Sequence, residues 1–326
     1  MDTLTQYQDS VFGIDVSKET LDVYHLPSME YKKVKNNEKG LRELIAWSNK
    51  HNPKIVACEY SGGYERKLVV ALVNANIPVV AVNPAHVRYY AKSRGIMCKT
   101  DKVDAKTLAE FTRERQPRPS RHPSEHEVAL KEFVTFRRQL IKERTALKNR
   151  LEHATQNETV KITNDLIELI NRRIKKIEKA ISKLIQENSE WKKRNEILNS
   201  VPGIGVDTAR TLQADLPELG EGSVERISAL AGLAPMNRES GKWKGKRCIQ
   251  GGRATVRAAL HNAAMAAIFF TKNDNVFKQM YHHLTKNLCK THNVALVAVS
   301  HKMLKIVHTL IKNNLKWENK LNKNIT

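Results

Sequence analysis

The stretch "VFGIDVSKETLDVYHLPSMEYKKVKN", residues 11–36, contains three short apolar segments that are closely spaced along the chain. The segments at 11–16, 20–26 and 31–36 have the length and the alternation of apolar and polar residues that are typical of strands. Such short connections favour antiparallel neighbours, because parallel strands need a long crossover between them. The stretch therefore predicts a three-stranded antiparallel meander.

Helix and strand patterns alternate after this meander. We predict helices at 38–50 and 65–76, strands at 54–60 and 78–83, and further helix beyond Pro84. The order is then β-β-β-α-β-α-β-α, which indicates an α/β domain with a mixed sheet and helices on its faces.

Two changes in composition divide the remaining sequence. The segment "RERQPRPSRHPSEHE", residues 113–127, carries three prolines among charged residues and is typical of a linker. From about residue 196, glycines and small apolar residues replace a long run rich in Lys, Arg and Glu. We predict an α/β domain at 1–115, linker and coiled-coil helices at 116–195, and a mostly helical C-terminal domain at 196–326.

The long charged run has a heptad pattern. Its apolar positions follow one another at alternating offsets of three and four: Ile167, Ile170, Ile174, Ile177, Ile181, Leu184, Asn188 and Trp191. Phe133, Leu140 and Leu147 repeat every seven residues earlier in the chain. Two antiparallel helices fit this pattern, either as a hairpin within one chain or as an oligomerisation element. Asn188 at a core position would fix the register.

The charge balance points to a polyanionic partner. Lys and Arg number 56 against 34 Asp and Glu, which gives a formal net charge of +22, and nucleic acid is the expected partner. No apolar run approaches the roughly 18 residues of a membrane span, and the N-terminus has no signal-peptide character. We expect a cytoplasmic protein without a membrane partner. The four cysteines form no C-x-x-C pair and predict neither a zinc site nor disulfides.

Four carboxylates are placed where they could converge. Asp15 and Glu59 end two predicted strands, and Asp101 and Asp104 lie one turn apart at the start of a predicted helix. Like charges so close together need a cation, and oxygen ligands without His or Cys suit Mg²⁺ or Mn²⁺. Taken singly, these acids could equally be helix caps or ordinary carboxylates at strand ends.

A basic, glycine-rich segment surrounds Ser240. The residues that we expect to contact nucleic acid here are Arg238, Lys242, Lys244, Lys246, Arg247 and Arg253. A serine hydroxyl needs a base, a metal ion or nearby positive charge to act as a nucleophile. On its sequence alone, Ser240 is a phosphate-contacting or merely exposed residue.

The segment "SVPGIGVDTA", residues 200–209, fits a helix-hairpin-helix, in which Gly203 and Gly205 form a tight turn before a new helix. Backbone amides in such a turn can bind phosphate without reading bases. A purely structural turn between two packed helices is the alternative.

The strand order and the acids together resemble the RuvC-like branch of the ribonuclease H fold. The segments "GIDVSK", "CEYSGGYE" and "KTDKVDAKTLAEF" resemble the corresponding segments of the DEDD transposases of insertion-sequence family one hundred and ten. The second half of the chain carries that family's "VPGIG" and "GLAP…SGK" signatures. The resemblance implies that Asp15, Glu59, Asp101 and Asp104 are the metal ligands. It also implies that Ser240 is the nucleophile that forms a covalent phosphoserine with DNA.

The resemblance implies partners as well. These are donor and target DNA, a bridge RNA that pairs with both, and other copies of the chain in a dimer or tetramer, within a bacterial or archaeal cytoplasm at the nucleoid. Two other functions fit the residues. One is a metal-dependent nuclease or junction resolvase without a covalent intermediate, and the other is a non-catalytic nucleic-acid scaffold.

Overall fold

The computed structural model describes residues 9–119, 123–237, 239–240, 243–245 and 247–318. The chain divides into two compact units, residues 1–122 and 123–326. The helices that we assigned to a middle part therefore belong to the same unit as the C-terminal helices. The division into three functional parts stays a prediction.

The first unit contains the expected mixed sheet. Its strands are β1 Val11–Val16, β2 Thr20–Leu26, β3 Tyr31–Lys35, β4 Ile55–Glu59 and β5 Val79–Val82. They lie in the order β3-β2-β1-β4-β5. The first three strands pair as an antiparallel meander, whereas β4 runs parallel to both β1 and β5. The prediction of an α/β sheet is confirmed.

Helices cover both faces of this sheet because its strands alternate apolar residues on the two sides. The helices are α1 Glu38–His51, α2 Glu65–Asn74, α3 Pro84–Ser93 and α4 Asp101–Arg115. Phe12 and Ile14 of β1 pack in one core with the buried leucines of α1 and α2. Val11 of the same strand packs in the other core with residues of α3 and α4.

Helix α4 lies directly on β1 at Gly13. A Cβ atom at this position would stand 2.3 Å from the carbonyl oxygen of Ala105 and 2.3 Å from the amide nitrogen of Ala109. Both are backbone atoms of α4, and neither can rotate away. The absence of a side chain at Gly13 therefore sets how closely the helix approaches the strand.

Gly13→Ala is expected to destabilise the first unit by about 1–3 kcal/mol or more, because overpacking against backbone cannot be relieved by a rotamer change. Urea denaturation, monitored by hydrogen exchange in peptides from β1 and α4, measures this change in the free energy of unfolding. Gly205→Ala is the control, since nothing lies within 4 Å of its Cβ position. A Gly13→Ala protein as stable as the control would contradict the close contact.

The second unit is mostly helical, as expected. Its helices are α5 Glu125–Leu151, α6 Asn157–Glu187, α7 Ser189–Ser200, α8 Val206–Asp215, α9 Val224–Leu230, α10 Ala254–Met265, α11 Val276–His282 and α12 His292–Lys312. One π-helical turn follows α10 and another follows α11. The core forms where α12 packs against α7, α9, α10 and α11.

Helices α5 and α6 form an antiparallel hairpin within the chain. Leu130 and Val134 of α5 share a buried cluster with Ile181 and Ile185 of α6. Towards the tip, Arg144 Nη1 donates to the side-chain oxygen of Asn171 at 3.0 Å. The beginning of α6 thus faces the end of α5, as it does in an antiparallel pair. The part of the heptad pattern at Ile167, Ile174 and Ile181 is buried, while a coiled coil between chains stays a prediction.

The heptad interpretation of Asn188 is wrong. Helix α6 ends at Glu187, and Asn188 instead caps α7, where its side-chain oxygen accepts from the amide of Trp191 at 3.1 Å. Asparagine is a preferred N-cap because its side chain satisfies an amide that the first turn leaves free. The residue therefore ends the heptad run and fixes no register.

Helix α12 corrects the expectation that no segment approaches a membrane span. Within the described residues, it is the single helix that is long and apolar enough to cross a bilayer. However, 56% of its apolar window is buried inside the second unit. Packing in the core of the second unit therefore explains the apolar character of α12.

Candidate active site

A row of polar side chains crosses the sheet at the end of β1. Asp15 lies opposite Asp22 of β2, and Asp22 lies opposite Lys33 of β3. The parallel pairing of β1 with β4 runs up to Ile14 and Cys58, so the next residues, Asp15 and Glu59, are neighbours at the strand ends. All four residues of this row are on the face that α4 covers, since they alternate with the core residues of the opposite face.

The first turn of α4 faces the same end of the sheet. Thr100 caps the helix by accepting from the amide of Val103 at 3.3 Å, and Asp101 is the first helical residue. Ala105 and Ala109 contact Gly13, and Asp101, one turn before Ala105, and Asp104, directly before it, lie near enough to Asp15 for their charges to raise its pKa. The helix dipole favours acids at this position. The structure thus brings all four predicted carboxylates to one edge of one face.

Electrostatics show that these carboxylates interact. Burial raises the pKa of Asp15, and the charges of Asp104, Asp101 and Asp22 raise it further. Burial and the charges of Asp15 and Asp104 raise the pKa of Glu59 to about 7. The pKa of Asp104 is also raised, mainly by burial. Such uncompensated carboxylates attract a cation.

The donor chemistry of this face fits a hard divalent cation. The available donors are carboxylate oxygens, which Mg²⁺ and Mn²⁺ prefer. Among the residues that the structure describes, no three carboxylate, thiol or imidazole side chains stand close enough together to hold a metal ion as they are. The Lys33 ammonium lies 3.3 Å from the Asp101 carboxylate on this face.

The fifth acid on this face, Asp22, was not predicted from the sequence. It is 2% exposed and accepts a hydrogen bond from the Tyr31 hydroxyl. Lys33 Nζ lies 3.2 Å from its other oxygen. A buried acid inside a strand is unusual unless it has such partners, and that was the signal in "TLDVYHL" that could have identified it.

The raised pKa of Glu59 predicts a pH-dependent stability in the metal-free protein. Its ordinary value is 4.5, against about 7 in the folded chain. Since folding favours the protonated form, the stabilisation is present below pH 4.5 and is lost as the pH rises through 7. We expect the free energy of unfolding to fall, relative to Glu59→Gln, by at most about 3 kcal/mol over this window.

Urea denaturation of both proteins in EDTA, at intervals from pH 4 to pH 8, measures this difference. Parallel curves for the wild type and Glu59→Gln would contradict the buried and crowded environment of Glu59.

The predicted serine lies in a small hairpin of the second unit. Strand β7, Glu239–Ser240, pairs with β8, Trp243–Lys244, and strands β6, Pro235–Met236, and β9, Cys248–Ile249, pair below it. Ser240 is exposed, as is Arg247. These short strands were not predicted, because two-residue ladders leave no periodicity in a sequence. Arg238, Lys242 and Lys246 lie outside the described residues, and of Lys244 only the backbone is described.

Arg253 has partners within the protein. Its guanidinium forms a bidentate pair with the Glu218 carboxylate, both distances being 2.6 Å, and donates to the carbonyl oxygen of Asp215 at 2.9 Å. It stands directly before α10, where the chain leaves the serine hairpin. This geometry indicates that Arg253 fixes the base of the hairpin. Its predicted contact with nucleic acid stays untested.

The two predicted turn glycines differ in their surroundings. Gly203 has φ = 84° and packs against α10, since a Cβ atom would lie 2.2 Å from the carbonyl oxygen of Ala263. Gly205 is exposed and is the N-cap of α8. Close packing therefore explains why residue 203 is glycine. At the exposed Gly205, the first amides of α8 lie near the surface.

Two family models match this chain. The model described as "DEDD_Tnp_IS110: Transposase" matches residues 12–158, and the model described as "Transposase IS116/IS110/IS902 family" matches residues 195–282. The first match contains the carboxylate face, and the second contains the serine hairpin. The protein is a DNA recombinase of the transposase class. Both models describe transposases of the IS110 group, and together they match most of the chain, so the chain is similar to IS110-family transposases over most of its length.

Curated relatives match along nearly the whole chain. The "Pilin gene-inverting protein" of Moraxella bovis is 29% identical over 327 residues, which cover 95% of this chain and 98% of the relative. The protein of the same name from Moraxella lacunata gives the same values. The "Transposase for insertion sequence element IS1111A" of Coxiella burnetii is 25% identical over 343 residues, 92% of this chain and 89% of the relative.

Solved structures of RuvC are similar to part of this chain. "T. thermophilus RuvC in complex with Holliday junction substrate" covers 34% of this chain and 99% of its own, at 17% identity and a TM-score of 0.28.

Proposed function

We propose that this transposase cuts and rejoins DNA strands with a divalent cation, Mg²⁺ or Mn²⁺, bound by Asp15, Glu59, Asp101 and Asp104, and with Ser240 as nucleophile. One observation carries the first half of the proposal. Two strand ends and the first turn of a helix place four mutually repelling carboxylates on one face. A bound cation there would neutralise charge on the phosphodiester and on its leaving oxygen.

The chain's own residues have distinct tasks in this proposal. Asp15 and Glu59 are held by the sheet, whereas Asp101 and Asp104 are held by α4, so ligands from two rigid elements define the site. Gly13 keeps the two elements in contact. Lys99 and Arg88 add positive charge near Glu59 and Asp104, where a phosphate backbone would approach.

Ser240 supplies the covalent step. Its Oγ forms a bond to phosphorus while one P–O bond of the DNA breaks, and the serine proton goes to the leaving oxygen. The phosphoserine keeps the energy of the phosphodiester, so a free DNA hydroxyl can rejoin the strand by the reverse exchange. The exposed position of Ser240 in a paired hairpin supports this assignment. Composite action with the carboxylates requires the two units to meet, and the resemblance implies that they come from different subunits.

The reaction products distinguish this function from a junction resolvase. The protein, its co-purified RNA, Mg²⁺ and the DNA ends that flank its coding sequence are incubated together, and the products are sequenced. Joined donor and target strands support a transposase with a covalent intermediate. Free 5′ phosphates and 3′ hydroxyls without joining would support hydrolysis instead.

A bridge RNA is the proposed source of sequence choice. The formal charge of +22 suits a protein that binds phosphates and leaves base recognition to a paired guide. Sequencing the RNA that co-purifies with the protein tests this directly. Loops complementary to the flanking DNA are expected, and random cellular RNA would contradict a guide.

Self-association through the α5–α6 hairpin is also proposed, as a dimer or tetramer. Leu166, Leu169 and Ile162 lie three and four residues apart on α6 and are 43%, 41% and 54% exposed, which is a second apolar stripe beside the buried one. Phosphate binding by the amides at Gly205 and a cytoplasmic, nucleoid-associated location complete the proposal.

A further inference from the structure

The Lys33 ammonium contacts two carboxylates, of which one is a proposed metal ligand and the other is not. Its Nζ lies 3.2 Å from Asp22 and 3.3 Å from Asp101. Asp22 belongs to the sheet, whereas Asp101 opens α4. One ammonium group therefore joins the unassigned acid to a proposed ligand, on the face where Asp15 and Glu59 end their strands.

The two carboxylates that hold Lys33 differ sharply in burial. The side chain of Asp22 is 3% exposed and also accepts from the Tyr31 hydroxyl, while that of Asp101 is 64% exposed. A buried ion pair partner is costly to remove, whereas an exposed one is held weakly. Lys33 is therefore firmly attached at Asp22 and easily released from Asp101.

Other charged groups face the same acids from α3 and from the segment before α4. The charges of Arg88 and Lys99 partly oppose the raised pKa of Glu59, and that of Lys99 partly opposes the raised pKa of Asp104. On the strand itself, Lys32 points to the opposite side, where it pairs with Glu43 at 2.7 Å. Lys33 is in direct contact with a proposed ligand, Asp101.

We propose that Lys33 is a resident counterion, which is anchored on Asp22, neutralises Asp101 in the metal-free protein and gives Asp101 up when a divalent cation binds. This inference rests on the proposed carboxylate metal site. Lys33 is a positioning residue in this scheme, since it acts through Asp101.

The sign of its effect follows from Coulomb's law. A cation beside the site repels the incoming metal ion, and its contact with Asp101 must be broken before that oxygen can coordinate. Removing the ammonium takes away both costs. Because Lys33 is partly exposed and screened, we expect Lys33→Met to bind Mn²⁺ about threefold to tenfold more tightly than the wild type.

The experiment is a Mn²⁺ titration of the full chain by calorimetry, without nucleic acid. Lys32→Met is the matched control, since it removes the same charge from the same strand on the other face, and its affinity is expected to match the wild type. Lys33→Arg keeps the charge and is expected to restore wild-type affinity. A second readout is the rise in melting temperature from EDTA to Mn²⁺, which should be larger for Lys33→Met.

Loss of Lys33 leaves Asp22 buried without its cation, so Lys33→Met could unfold. The comparison is then made between Asp22→Asn and the double variant Asp22→Asn/Lys33→Met, where tighter binding by the double variant is expected. Unchanged or weaker Mn²⁺ binding by a folded Lys33→Met protein, or by the double variant relative to Asp22→Asn, would overturn the counterion role alone.

The Asp15→Asn variant separates this failure from a failure of the metal site. If Asp15→Asn binds Mn²⁺ as the wild type does, or if the wild type binds none, the carboxylate site and the counterion role are both overturned.

Discussion

Ser240→Ala is expected to abolish the covalent protein–DNA adduct and to lower strand joining by about 10³-fold or more, because no other atom replaces a deleted nucleophile. The adduct is detected as labelled DNA that migrates with the protein in a denaturing gel. The exposed position of Ser240 means that alanine removes an oxygen and no packing. Stability and DNA binding should therefore match the wild type.

Ser189→Ala is the matched control for this variant. Ser189 is exposed in the same unit, and its replacement should leave the adduct intact. An adduct that survives in Ser240→Ala would show that another residue attacks the phosphate. Absence of an adduct in both the wild type and the variant, with DNA cut in each, would favour the hydrolytic function.

Asp15→Asn is expected to lower DNA cleavage by about 10³-fold or more, since it removes a charged metal ligand while keeping the shape of the side chain. Burial and the charges around Asp15 raise its pKa, so loss of its charge also relieves repulsion. The metal-free variant should therefore be at least as stable as the wild type. Cleavage of labelled DNA in the presence of Mg²⁺ and the co-purified RNA gives the rate.

Glu38→Gln is the control in the same unit. Glu38 is exposed on α1, which covers the opposite face of the sheet, and its pair with Arg42 is fully at the surface. Its rate should equal that of the wild type. If Asp15→Asn kept all activity in cells, the protein would act as a scaffold and the carboxylates would have no catalytic task.

Much of the first unit could be predicted from its sequence because its signals are local. The alternation in "VFGIDV" and the short connections after it define both the strands and their pairing. The neighbouring positions of Asp15 and Glu59 follow from the rule that parallel strand ends meet at one edge of a sheet, whereas Asp101 and Asp104 lie on α4 and were predicted from their one-turn spacing and from the family resemblance.

Other parts depend on relations that no local pattern carries. Asp22 and Lys33 face Asp15 only through the register of three strands, and a shift by one residue would turn both to the opposite face. The spacing of Asn188 fits both a heptad core position and a helix N-cap. The structure shows the N-cap, because α6 ends before Asn188. The role of Arg253 depends on Glu218, which lies 35 residues away in the sequence.

The ladder between β6 and β9 limits how far Ser240, the proposed nucleophile, can move. Met236 is paired with Cys248 at the foot of the hairpin, and Ser240 is only four residues further along the chain. Even a fully extended tether of four residues spans at most about 14 Å. Under the proposed function, the scissile phosphate must therefore come within that radius of the ladder.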